Sequence, residues 1–107
     1  LKQIIEVTDN NFKKEVLESK VPVVIDFWAV WCGPCKAMSP ILNELAKEFA
    51  GRAKIGKVNI DENSNTTETY SVFNIPTLIF FKDGIEAGRV VGINPREKIS
   101  KRIVELL

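Results

Sequence analysis

Cys32 and Cys35 are separated by two residues in a 107-residue chain that has no other cysteine and no histidine. The missing histidine removes Ser-His-Asp and Cys-His catalysis together. Two cysteines supply only half of a tetrahedral zinc site, and no imidazole is present to complete it. A small secreted scaffold held by disulfides ordinarily carries four or more cysteines. Any chemistry here therefore rests on sulfur, carboxylate and lysine.

The segment Trp31-Cys32-Gly33-Pro34-Cys35 lies where an apolar run ends and a helical pattern begins. Pro34 suits a first helical turn, where a missing N–H leaves nothing unsatisfied. Cys32 is then at the helix N-terminus, where free N–H groups and the positive dipole end favour a thiolate. Gly33 presents no side chain to block an approaching disulfide. Cys35, three positions on, lies one turn into the helix on the same side. The spacing allows Cys32 to attack a disulfide and Cys35 to resolve the mixed disulfide. A chance pair, a structural clamp and half of a shared metal site are the competing readings.

Asp26 interrupts an otherwise apolar strand, and an ionised carboxylate there is costly unless paired. One reading places it at a sheet edge. The other makes it a desolvated acid that exchanges protons with Cys35. Lys57 is its candidate partner, since Ala53, Ile55 and Lys57 share one face of a strand. Pro76, in Ile75-Pro76-Thr77, reads by itself as a trans proline opening a strand, because only about 5–6% of X–Pro bonds are cis. Most aromatic residues, Trp28 included, belong to the core on prior grounds, whereas Trp31 is expected to be exposed.

The elements that must position these groups alternate along the chain. Strands are expected at 3–7, 23–29, 53–60, 77–81 and 87–91, the last two joined through Lys82-Asp83-Gly84 as a hairpin. Thr8 or Asp9 can cap a helix burying Phe12, Val16 and Leu17. A second helix runs from Pro34 to Phe49 with Pro40 inside it, which removes one backbone bond and should kink it. A short helix is expected around 67–72, and a last one, entered at Asn94-Pro95, should bury Ile99, Ile103, Leu106 and Leu107. The order β-α-β-α-β-α-β-β-α predicts an α/β domain over 1–107, a mixed sheet with helices on both faces.

Composition fits that picture. Hydrophobic residues make up 45% and charged residues 27%, with a formal net charge of +1, values of an ordinary globular domain. That balance gives no electrostatic reason to expect nucleic acid or an anionic membrane as partner. The charges between Arg96 and Arg102 read as a solvated helix face. No apolar run approaches the roughly 18–20 residues of a membrane span. No leader pattern stands at the start, so the cytoplasm is the default expectation.

Phe27-Trp28-Ala29-Val30-Trp31-Cys32-Gly33-Pro34-Cys35-Lys36 resembles the thioredoxin family. The likeness continues through Val23-Ile25-Asp26, Pro40, Lys57-Val58-Asn59-Ile60-Asp61, Ile75-Pro76-Thr77, Phe81-Lys82-Asp83-Gly84 and Gly92. It implies a thioredoxin fold: a central mixed five-stranded sheet of order 1-3-2-4-5, flanked by four helices. It implies that Cys32 attacks, that Cys35 resolves, and that Asp26 is the buried acid with Lys57 close by. It also implies that Pro76 is cis beside the cysteines. The partner groove would be formed by Trp31, Gly33, Pro34, Ile60, Ile75, Pro76, Val91 and Gly92, with a partner strand bonding the backbone of residue 75. The resemblance further implies a monomeric, cytoplasmic reductant of diverse disulfide-containing proteins. Such a protein has no bound cofactor and receives electrons from NADPH through a separate thioredoxin reductase. Val30 and Phe73-Asn74 stand where other residue types are more familiar in the family, and they bear on partner preference.

Overall fold

Along Val23–Trp28 the side chains divide by parity, as a strand covered on both faces requires. Val24 packs with Leu78 and Phe80 against Met38, Leu42 and Leu45, whereas Val23, Ile25 and Phe27 pack with Val58, Ile79 and Phe81 on the other side. In the computed structural model, which describes residues 3–107, the strands are β1 (Ile4–Glu6), β2 (Val23–Trp28), β3 (Lys54–Asn59), β4 (Thr77–Lys82) and β5 (Ile85–Val91). They form one five-stranded sheet in the order β1-β3-β2-β4-β5. β3 runs parallel to both β1 and β2, β4 runs antiparallel to β2, and β5 runs antiparallel to β4. This is the expected sheet. It puts β2, and with it Asp26, at the centre, so the edge-strand reading of Asp26 fails.

The helices α1 (Gly33–Glu48) and α3 (Arg96–Leu106) cover the Val24 face, where Phe49, Ile99 and Ile103 complete the packing. The α1 helix runs through Pro40 as one element. The opposite face is covered by a short π-helical turn (Lys13–Leu17) and by residues around α2 (Ser64–Thr69), with Phe12, Tyr70 and Phe81 in mutual aromatic contact.

Four details differ from the sequence expectations. The first helix is a π-type turn, closed by Glu18 N–H donating to Lys13 O at 2.9 Å. Its wider winding keeps Phe12 and Val16 inward but turns Leu17 out, to 36% exposure. Asp9 does not cap that turn. Its carboxylate accepts from Thr66 N (2.9 Å), Thr66 Oγ1 (2.7 Å) and Asn65 N (3.3 Å), which holds it below the usual carboxylate range. Asp9 thus caps α2 from 57 residues away, and α2 begins and ends earlier than expected, leaving Val72 buried beyond its end. Leu107 follows the end of α3 and is exposed.

Candidate functional site

The sheet topology gathers chemistry at one end. β2 and β3 are parallel, so the residues after each, Ala29–Cys32 and Ile60, emerge together. β4 is antiparallel, and the register Phe27↔Thr77 brings its beginning, with Pro76, to that same end. β5 returns there too, with Val91 beside Thr77 and Gly92 N–H donating to Pro76 O at 2.8 Å. Ligand sites of open α/β sheets favour the carboxyl ends of parallel strands for this topological reason.

At that end Cys32 is the N-cap of α1 and is joined to Cys35 by a disulfide, their Cα atoms 5.3 Å apart. Cys35 N–H donates to Cys32 Sγ at 3.1 Å, so a free donor of the first helical turn points at the sulfur of the N-cap residue. A charge on that sulfur would be stabilised by this donor and by the helix dipole. Gly33 and Pro34 are exposed in the same turn. Both cysteines are nearly buried, packed with Ala29 against the half-buried Trp28, Ile60 and Ile75. The Ile75–Pro76 peptide bond is cis, and Pro76 is buried.

Several apolar side chains on the segments that bear this pair, or lead into the strands beside it, are exposed. Trp31 is 68% exposed, Val30 63%, Phe73 87% and Val91 55%. Trp31 is tethered by its indole N–H, which donates to Asp61 Oδ2 at 2.9 Å. Asp61 is in turn held by its own N–H donating to Asn59 Oδ1 at 2.9 Å. Of the residues expected to line a groove, Ile60 and Ile75 pack against the cluster of Ala29, Cys32 and Cys35, and Pro76, Val91 and Gly92 are joined through backbone pairing at the same end of the sheet.

Asp26 is 1% exposed, on the face of β2 that looks toward α1 and α3. Neither of its carboxyl oxygens has a hydrogen-bond partner. Burial pushes its pKa up from 3.8 to about 7, with the Lys57 charge pulling in the opposite direction. Lys57 is its register neighbour on β3. The expected pairing is thus adjacency without contact. Lys57 Nζ instead donates to Ser39 Oγ at 3.4 Å and lies 4.9 Å from the centroid of the Trp28 ring. A pocket lined by Trp28, Ala29, Val30, Cys35, Lys36, Ser39 and Lys57 connects Cys35 with this ammonium.

Three residues of the site escape a reading of the sequence. Asp61 looks like loop filler, and its bond to Trp31 depends on the β3 end lying beside the β2 end. Trp28 looks like core, yet it is half-buried and faces a lysine. Ser39 carried a usable signal: it lies four residues after Cys35, hence on the same helix face.

Comparison with known proteins agrees with the geometry. The thioredoxin family model matches residues 3–105. The chain is 48% identical over 93 residues to thioredoxin of Rickettsia felis, covering 87% of this chain and 89% of the relative. It is 46% identical over 98 residues to thioredoxin 1 of a Nostoc species, covering 92% of each. It is also 41% identical over its full length to the M-type chloroplastic thioredoxin of Spinacia oleracea, of which it spans 59%. No helix among the described residues is long and apolar enough to cross a membrane, and those residues contain no cluster of three or more metal-ligating side chains. With its disulfide-bonded C-x-x-C pair at a helix start and these relatives, the chain belongs to the thioredoxin family and is a thiol–disulfide oxidoreductase acting on protein disulfides.

Proposed function

We propose that the protein works in the reducing direction, with Cys32 attacking and Cys35 resolving. The observation that carries this reading is the Cys32 N-cap: it accepts the Cys35 N–H and borders an exposed apolar rim, while Cys35 lies one turn inside. In the reduced protein, Cys32 thiolate attacks one sulfur of a partner disulfide. A Cys32–partner bond forms and the partner's other sulfur leaves as thiolate. Cys35 then loses its proton and attacks Cys32 Sγ, which breaks the mixed disulfide and frees the second partner thiolate. Two electrons pass from the dithiol to the partner, and the Cys32–Cys35 disulfide remains.

Asp26 takes the Cys35 proton in this scheme. A carboxyl poised at about 7 by burial accepts and returns a proton near neutral pH, where a normal aspartate could not. Lys57 tempers the charge left on it. Trp31, Gly33, Pro34, Ile60, Ile75, Pro76, Val91 and Gly92 form the groove in which an extended partner segment lies, bonding the backbone at residue 75. The chain acts as a single domain and as a monomer. Electrons return from NADPH through a separate thioredoxin reductase, so no bound cofactor is needed. A dithiol reductant is useful where thiols are kept reduced, and the cytoplasm is the compartment proposed.

The His-containing relatives that oxidise or isomerise disulfides offer the second reading. Gly33-Pro34 supplies no charge between the cysteines to favour the thiolate strongly, and this supports the reducing direction. The test of the cysteine roles is Cys35→Ser. It should accumulate partner proteins as mixed disulfides through Cys32, releasable by dithiothreitol. Adducts formed equally well by Cys32→Ser through Cys35 would reverse the assignment.

A further inference from the structure

Lys57 has two carboxylates within one strand of it and binds neither. In the sheet register it stands between Asp26 on β2 and Glu6 on β1. Glu6 is exposed, where an ion pair is worth little. Asp26 is buried with both oxygens unpartnered, in surroundings where an approaching ammonium would be attracted far more strongly. Yet the hydrogen bond of Lys57 Nζ goes across to α1, to Ser39 Oγ, while the face of Trp28 supports the same ammonium.

We propose that Ser39 is a positioning residue for the proton chemistry at Asp26: its hydroxyl holds the Lys57 ammonium on the α1 side of the pocket shared with Cys35, off the Asp26 carboxyl. Cys35 and Ser39 are four residues apart on α1, so the helix that carries Cys35 also carries the acceptor that restrains the lysine. With Lys57 held there, Asp26 stays unpaired and able to carry a proton. With Lys57 released, the two would close into a buried ion pair and the carboxyl would remain ionised to lower pH. The other groups facing Asp26 do not take over this role. On β4 its register neighbour is Leu78, and α3 presents Ile99 and Ile103. On α1 the remaining cation of the pocket is Lys36, which is exposed.

This inference takes its catalytic meaning from the proton role proposed for Asp26, but its test reads Asp26 itself. The carboxyl carbon of Asp26 is titrated by carbon-13 NMR in the oxidised wild-type protein and in Ser39→Ala, Ser39→Thr, Lys57→Met and the double variant Ser39→Ala/Lys57→Met. Alanine is a better helix former than serine, so the fold is retained. Ser39→Ala should lower the Asp26 midpoint by about one pH unit or more, as an opposite charge brought to contact does. Ser39→Thr should restore it. In the Lys57→Met background Ser39→Ala should have no effect. A midpoint unmoved by Ser39→Ala, or moved equally without Lys57, overturns the proposal. Disulfide-reduction rates are measured separately over the same pH range. A shifted midpoint with an unshifted rate profile would contradict the proton role of Asp26 while supporting the placement of Lys57.

Discussion

At the scale of single residues, the site joins a sulfur pair at a helix start to a carboxyl that folding has deprived of water. Folding raises the Asp26 pKa from 3.8 to about 7, so the folded protein holds this proton more tightly than the unfolded chain does. The stability it contributes is fully present below the unfolded value and is lost as pH rises through about 7. At ~1.4 kcal/mol per pH unit the loss is on the order of 4 kcal/mol. Asp26→Asn has no such proton to lose. Urea unfolding of both proteins at pH 4 and pH 8 should therefore show the substitution gaining stability relative to wild type by about that amount at the higher pH. Parallel pH dependences would contradict the buried, unpartnered carboxyl. The same variant should slow disulfide exchange near neutral pH by about tenfold or more if Asp26 moves the Cys35 proton.

Much of this was legible from residue types. A C-x-x-C before a helical pattern, an aspartate inside an apolar strand and a lysine on the next strand each break a local rule, and such breaks mark functional positions. What could not be read was the three-dimensional choice among neighbours. Lys57 has Asp26, Glu6, Ser39 and Trp28 around it. Only the packing of α1 across the sheet decides that it goes to the serine.

At the scale of elements, the strands were legible because both faces of β2 and β4 are buried and their apolar runs are continuous. The first helix was not, because Phe12 and Val16 fit α and π winding alike, and only Leu17 distinguishes them. The bounds of α2 escaped for another reason: its cap comes from Asp9, remote in sequence. The β4–β5 hairpin was readable from Asp83-Gly84, and both residues take left-handed angles, φ 53° and 77°. That turn is also where two elements meet. A Cβ on Gly84 would come within 2.8 Å of the Leu17 carbonyl oxygen, at the end of the π-helical turn. Gly84→Ala should thus lower stability by more than ~1 kcal/mol, from the left-handed backbone and the clash together. Unfolding midpoints in urea would show it. An unchanged midpoint would mean that the turn and the Leu17 backbone are not in close contact.

At the scale of the whole molecule, the sheet order explains why residues far apart in sequence, from Cys32 to Gly92, lie at one end of the sheet. Parallel β2 and β3 end where antiparallel β4 begins and β5 finishes, so Cys32, Ile60, Pro76 and Gly92 converge. The α1 helix closes the arrangement from one face, carrying the disulfide at its start and Ser39 one turn beyond Cys35. Equilibrating the purified protein with glutathione buffers and following the Cys32–Cys35 couple shows whether this assembly serves as a reductant. A midpoint more negative than about −230 mV is the predicted result, whereas a midpoint between about −120 and −180 mV, the range of disulfide oxidants and isomerases, would contradict it.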